Sequence, residues 1–189
     1  AGQNADLLLE QARLLGADLT AIASEDDRMT CCGEQAAATL VREHAREGDL
    51  VVAAIVGASG IAPVLTAIEQ GCDVALANKE SLVAAGTLVM SAAAARGVRV
   101  LPIDSEHSAI FQCHAIEDRS AIARVVLTAS GGALRDMSVD EMGDASVEQV
   151  LAHPTWNMGP KVTVDSASLM NKALEIIEAH WLFGLESER

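Results

Sequence analysis

Along the first hundred residues, apolar positions come in short blocks separated by polar turns, and glycines mark many of the block edges. Asn4 precedes a stretch in which Leu7, Leu8, Ala12 and Leu15 recur at helical steps before Gly16, the pattern of a capped amphipathic helix. Residues 19–23 read as a strand, 24–30 as a polar turn, and the alanine-rich stretch 31–47 as a helix ended by Gly48. Residues 49–56 form the clearest buried-strand pattern, running into Gly57-Ala58-Ser59-Gly60, a tight turn before a helix over 61–70. Two further strands are predicted over 73–77 and 98–103, with a helix between them that opens at Asn78-Lys79-Glu80-Ser81 and runs to Arg96. This alternation predicts an α/β fold with a doubly wound parallel sheet. In such sheets function sits beyond the carboxyl ends of the strands, where Asn78-Lys79-Glu80 and Asp104-Ser105-Glu106 both fall.

The rhythm changes near Ser105, which sets the expected domain boundary. Residues 109–116 predict a helix, 124–128 a strand, and Ser130-Gly131-Gly132 an amide-rich turn. The acidic stretch 138–151 ends in a predicted helix, residues 153–160 form a Pro- and Gly-rich loop, 161–164 a strand and 167–182 a helix. In that last helix Met170, Leu174, Ile177 and Trp181 define the expected apolar stripe. Asn171, Lys172 and Glu175 stand three and four residues apart and project together from a neighbouring face. Ser166 is placed at the helix entrance, beside free backbone amides that suit a phosphate.

Composition narrows the function classes. With 189 residues, half of them hydrophobic, the chain can bury roughly 70% of its unfolded surface. Aromatics are only 2%, so Ala, Val, Leu and Ile must fill the core. The net charge of -14 argues against nucleic acid, which needs a basic face. It also means that an anionic substrate must be held by a local cationic site. Cys31, Cys32, Cys72 and Cys113 show no CxxC spacing and read as reduced thiols of a cytoplasmic protein. No signal peptide is expected, and the apolar region 50–65 is too broken by Gly57, Ser59, Gly60 and Pro63 to span a membrane.

Asp104 and Glu106 are two carboxylates with one residue between them, and such a pair repels unless a proton or cation intervenes. An isolated Asp-x-Glu is more often a solvated acidic loop. Here Lys79, Ser130, His153, Ser166, Asn171, Lys172 and Glu175 also fall near element ends and supply the groups of a site. Of the other histidines, His107 suits a supporting position beside a ligand, while His44, His114 and His180 read as ordinary surface or helix residues.

Five segments then become familiar together: Leu76-Ala77-Asn78-Lys79-Glu80-Ser81-Leu82-Val83, Leu101-Pro102-Ile103-Asp104-Ser105-Glu106-His107-Ser108-Ala109-Ile110-Phe111-Gln112, Leu127-Thr128-Ala129-Ser130-Gly131-Gly132, His153-Pro154-Thr155-Trp156-Asn157-Met158-Gly159, and Val164-Asp165-Ser166-Ala167 leading to Asn171-Lys172-Ala173-Leu174-Glu175. In order and spacing they resemble the 1-deoxy-D-xylulose 5-phosphate reductoisomerase family. The resemblance implies a partial, Rossmann-like NADPH-binding domain over residues 1–104, followed by a partial α+β catalytic domain over 105–189. The chain then reads as the middle of a family member, without the Gly-rich dinucleotide turn in front and the helical domain behind.

What the resemblance implies can be written residue by residue. Asp104, Glu106 and Glu175 match ligands for Mg2+, Mn2+ or Co2+. Lys79, Ser105, Glu106, Ser130, His153, Trp156, Ser166, Asn171, Lys172 and Glu175 match substrate contacts, with Lys79, His153 and the three carboxylates at the chemistry. Gly2, Gln3, Asn4, Asn78, Glu80, Met158 and Gly159 match NADPH contacts, and Trp156 and Met158 belong to a closing loop. The implied reaction is a skeletal rearrangement of a ketose phosphate followed by hydride delivery to the aldehyde, in a homodimer, giving 2-C-methyl-D-erythritol 4-phosphate for isoprenoid precursors. The chain departs from the family pattern at Ala173, Pro160 and Ala133-Leu134. Two other readings are a dinucleotide-sensing module without catalysis and a metal-dependent dehydrogenase or isomerase of another sugar phosphate.

Overall fold

The computed structural model describes residues 2–113, 122–186 and 188–189. The chain divides into two compact units, Ala1–Asp104 and Ser105–Arg189.

The first unit is α/β with parallel strands, in agreement with the expected fold class. Helix α1 (Ala5–Leu15) is capped by Asn4, whose Oδ1 accepts the Leu7 amide at 3.0 Å, and ends at Gly16 with φ 68°. Strands β1 (Ala21–Ile22) and β2 (Cys31–Cys32) pair in parallel, and helix α2 (Ala36–His44) follows. A parallel three-stranded sheet of order β3-β4-β5 is built from β3 (Leu50–Ala53), β4 (Asp73–Leu76) and β5 (Val100–Pro102). A 3-10 turn at Ala58–Gly60 leads into α3 (Ile61–Glu69), and two helices, α4 (Glu80–Val83) and α5 (Gly86–Arg96), connect β4 to β5. The core joins Val64 and Ile68 of α3, Val74 and Leu76 of β4, Leu82, and Val89 of α5. Asp73 pins β4 to β5: Arg99 donates its amide and guanidinium to the Asp73 carboxylate, which this pairing holds below the usual range.

Three expectations are corrected here. Cys31–Cys32 is a strand, because its partner β1 outweighs the helical composition that follows it. The strand over 49–56 is shorter and only partly buried, with Val52 63% exposed, because β3 is the edge strand and one of its faces is open. The helix predicted from 78 to 96 breaks at Ala84-Ala85 into α4 and α5.

Among its described residues the second unit is helical. Helix α6 (Ser105–Cys113) begins at Ser105 rather than at 109, and the remainder of the predicted 109–116 helix, with His114, lies outside the described residues. Short helices α7 (Val139–Gly143) and α8 (Val147–Leu151) each open with a capping box, Ser138 with Glu141 and Ser146 with Gln149. Helix α9 (Pro160–Ala167) packs against α10 (Met170–Phe183). The strand predicted over 161–164 is therefore helix: Gly159 caps α9 and Pro160 takes its first position, where a missing N–H costs nothing. Residues 124–128 form no ladder among the described residues; the Val125 amide donates to the Arg189 carbonyl at 2.7 Å. Helix α10 starts later than predicted, after Leu169 at φ 65°, and buries a different face. Glu175, Glu178, Ala179 and Phe183 are buried, whereas Met170 and Ile177 of the expected stripe are exposed. Ala179, Phe183 and Leu185 form a small core with Ile110, Val125 and Leu182.

No helix of the described residues is long and apolar enough to cross a membrane. All four cysteines are free thiols.

Candidate active-site elements

In the first unit, β4 hands the chain to Asn78, a buried side chain that acts as a lock. Its amide nitrogen donates to the Ile55 carbonyl at 2.6 Å, the Gly57 carbonyl at 2.9 Å and Glu80 Oε2 at 2.9 Å, while its Oδ1 accepts the Ser81 amide and hydroxyl. Asn78 thereby ties the turn after β3 to the start of α4. The next residue, Lys79, forms an ion pair with Asp104, just beyond β5, and only 11% and 22% of the two side chains is exposed. Parallel neighbouring strands thus bring the cation and the carboxylate to one sheet end, as the strand-end rule requires.

The same unit holds a cavity of about 450 Å³ lined by Gly2, Ala21–Ala23, Gly33, Glu34 and the 54–56 segment after β3. Of the expected NADPH contacts only Gly2 lines it; Asn4 is engaged as the α1 cap, and Gln3 is exposed. Ile55, Val56, Ser59, Gly33 and Glu34 were not singled out from the sequence. Their signal was available in the turns that follow β2 and β3, since clefts in parallel sheets form at strand ends.

In the second unit the first turns of α6 and α10 face each other. Lys172 Nζ donates to Glu106 Oε1 at 2.9 Å and also to Glu175 Oε2, so one ammonium serves two carboxylates. Ser105 Oγ donates to Glu106 Oε2 at 2.7 Å, and Asn171 Nδ2 donates to Glu175 Oε1. Burial raises the Glu106 carboxyl, but the Lys172 ammonium and Ser105 hydroxyl outweigh it and hold Glu106 below the usual range. Burial lowers Lys172, but Glu175 and Glu106 outweigh that and hold it above its ordinary value. Glu175 is only 1% exposed, and Asn171 Oδ1 is buried with no hydrogen-bond partner among the described residues. His107 lies beneath this cluster: its Nε2 bonds the Glu175 carbonyl at 2.9 Å, and its ring stacks on Phe183. A His107 nitrogen also lies within 4.8 Å of a Glu178 carboxylate oxygen. Glu178, three residues after Glu175, is a second buried carboxylate that the apolar-stripe reading missed.

A second cluster gathers Ser130, His153 and Trp156. Ser130 Oγ lies 2.9 Å from His153 Nε2, and His153 Nδ1 accepts the Thr155 and Trp156 amides at 3.1 and 2.9 Å. Arg135, also not anticipated, donates to the Ser130 carbonyl at 3.0 Å. Gly132, at φ 71°, packs directly on the Ser166 carbonyl, an approach that any side chain would block. Ser166 itself lies in the last turn of α9, not at a helix entrance, and its hydroxyl donates to the Thr163 carbonyl at 2.8 Å. The proposed perch on free N-terminal amides is thereby corrected, because the chain reverses at Leu169 before α10 begins. Met158 and Gly159 receive the Thr163 hydroxyl on their carbonyls and anchor the loop to α9. Pro160, which departs from the family pattern, fits as the first residue of α9, and Ala173 is exposed on α10.

Residues 1–86 match the family model described as 1-deoxy-D-xylulose 5-phosphate reductoisomerase, and residues 100–183 match the model of its C-terminal domain. The 1-deoxy-D-xylulose 5-phosphate reductoisomerase of Gloeobacter violaceus is 47% identical over 203 residues, covering all of this chain and 51% of the relative. That of Ruegeria pomeroyi is 48% identical over 197 residues, covering all of this chain and 50% of the relative. A crystal structure of DOX-P reductoisomerase in complex with NADPH, fosmidomycin and magnesium superposes with a TM-score of 0.89 at 38% identity, covering all of this chain and 51% of that one. The Zymomonas mobilis enzyme in complex with NADPH gives a TM-score of 0.84 at 38% identity, covering all of this chain and 51% of that one. The chain spans about half the length of the curated relatives it matches. With the models of both parts of the family matched in order and relatives nearly half identical over all of this chain, the chain belongs to the 1-deoxy-D-xylulose 5-phosphate reductoisomerase family.

Proposed function

We propose that this chain supplies the metal-binding, substrate-binding and part of the NADPH-binding machinery for converting 1-deoxy-D-xylulose 5-phosphate to 2-C-methyl-D-erythritol 4-phosphate. The observation that carries the proposal is the convergence of Glu106 and Glu175 on one cation, with the orphaned Asn171 oxygen on the same helix turn. Two carboxylates already gathered around positive charge, with the Asn171 oxygen on the same turn, suit a hard divalent ion. Asp104 stands two residues before Glu106, so chain connectivity alone keeps it within about 7 Å of Glu106 at the backbone. Asp104, Glu106 and Glu175 would hold Mg2+ or Mn2+, which when bound polarises the ketose carbonyl and its neighbouring hydroxyl.

The remaining residues bind, orient and shield. Lys79 places a low-exposure ammonium beside Asp104 and can stabilise oxyanion charge. Ser130, Asn171 and Lys172 offer hydroxyl, amide and ammonium donors for the phosphate, Ser166 would join them by turning its hydroxyl from the Thr163 carbonyl, and Ser105 donates beside Glu106. Engagement of phosphate by Lys172 would free the two glutamates for the metal. Trp156, 62% exposed on its loop, is available to close over substrate and exclude water. NADPH would use the cleft of the first unit together with Asn78, Glu80, Met158 and Gly159. The units 1–104 and 105–189 would then be the NADPH-binding and catalytic domains, and the active assembly a cytoplasmic homodimer.

The test places this 189-residue segment into the Gloeobacter violaceus relative in place of its counterpart and follows Mn2+-dependent NADPH oxidation with 1-deoxy-D-xylulose 5-phosphate. Turnover by the chimera and its loss in Asp104→Asn and Glu175→Gln are expected. Turnover that survives both substitutions would contradict the metal assignment.

A further inference from the structure

The hydrogen bonds around His153 define more than a substrate contact. A backbone N–H can only donate, so the nitrogen that receives the Thr155 and Trp156 amides must present its lone pair. With Nδ1 committed as an acceptor, the proton of the neutral ring resides on Nε2, which donates to Ser130 Oγ at 2.9 Å. The Ser130 hydroxyl, having accepted, is left to donate outward. Arg135 holds the same residue from its backbone side, through the Ser130 carbonyl at 3.0 Å. Pro154 narrows the backbone between His153 and the two capped amides, so the imidazole closes a ring around a pre-stiffened turn.

We infer that His153 is a positioning residue: its neutral, Nε2-protonated imidazole caps the turn that carries Trp156 and simultaneously aims the Ser130 hydroxyl. One side chain thereby couples the loop's conformation to the direction of a donor on a separate segment. The inference deepens the proposed function in naming what sets the loop, yet its geometry stands without any assumption about the substrate.

The two halves of the role separate by substitution. In His153→Asn the side-chain oxygen can take the place of Nδ1 and cap the turn, but cannot reach Ser130. In His153→Gln the longer amide can take the place of Nε2 and leaves the cap weakened. The experiment uses the 189-residue chain and reads the His153 ring nitrogens by long-range proton–nitrogen NMR, with hydrogen exchange at the Thr155 and Trp156 amides. Expected are an Nε2–H tautomer in the wild type, exchange in His153→Asn within about twofold of wild type, and exchange at least about fivefold faster in His153→Gln and His153→Ala. An Nδ1–H tautomer, or His153→Asn exchanging as fast as His153→Ala, would overturn the inference. Because no turnover is read, either result leaves the proposed reaction to its own test.

Discussion

The side chain of Asn78 lies directly against Gly60: a Cβ built at position 60 would come within 2.7 Å of the Asn78 amide and 2.8 Å of the Ile55 carbonyl. Gly60 is helical at φ -74°, so the requirement is for space and not for an unusual backbone. The contact lets the amide reach the Ile55 and Gly57 carbonyls, which joins the end of β3 to the start of α4. Gly60→Ala should therefore lower stability by about 1–3 kcal/mol, the usual range for overpacking a fixed environment. Urea denaturation of the variant checks this, and an unchanged midpoint would show that the lock yields.

Lys172 neutralises Glu106 and the buried Glu175 together. Replacing it with Met removes the cation from beside a desolvated carboxylate. A loss of about 2–4 kcal/mol is expected, short of the full buried-pair value because Glu106 keeps 23% exposure. Thermal unfolding measured at neutral pH checks this. The pair's contribution should persist between the two titrations: Glu106, held low, loses it as the pH falls, and Lys172, held high, loses it as the pH rises.

Leu169 is the only non-glycine with positive φ among the described residues, and its side chain is half exposed. The left-handed conformation costs an ordinary side chain roughly 1–2 kcal/mol, and little packing is lost on removing this one. Leu169→Gly should be neutral to stabilising by up to about 1 kcal/mol, which chemical denaturation can resolve. A clear destabilisation would mean that the leucine's contacts outweigh its strain.

Arg28 donates its amide and guanidinium to Asp26, drawing that carboxyl down from 3.8 to about 2. Its folded value is depressed, so its stabilising contribution is complete above the ordinary value and disappears as the pH falls through about 2. Carbon NMR of the Asp26 carboxyl should titrate with a midpoint near 2, moving toward 3.8 in Arg28→Ala. An unshifted wild-type midpoint would remove the pair from the account.

Much of the first unit is legible because its signals are local. Gly16 and Gly97 end helices in the left-handed conformation, and the apolar runs of β4 and β5 are bounded by Asn78 and Asp104. The misreadings have equally local causes. Lys161-Val162-Thr163-Val164 alternates like a strand, yet Gly159-Pro160 just before it is a helix start that outweighs so short a run. Residues 124–128 alternate between exposed and half-buried as a strand would, but no ladder partner lies among the described residues. The stripe on α10 was sought among apolar side chains, whereas the buried face carries Glu175 and Glu178. A hydropathy pattern cannot see a charge such as Glu175, whose burial is supported by Lys172 and Asn171 from the same helix turn. The grouping of Asn171, Lys172 and Glu175 was therefore readable from their helical spacing, whereas the burial of Glu175 and the bond from Lys172 to Glu106 were not.

Mn2+ binding followed by electron paramagnetic resonance on this chain tests most directly the proposed divalent-cation site of Asp104, Glu106 and Glu175. One equivalent should bind, with at least about tenfold weaker affinity in Glu175→Gln and in Asp104→Asn, as loss of a charged oxygen ligand requires. Equal affinity in the wild type and both variants would contradict it.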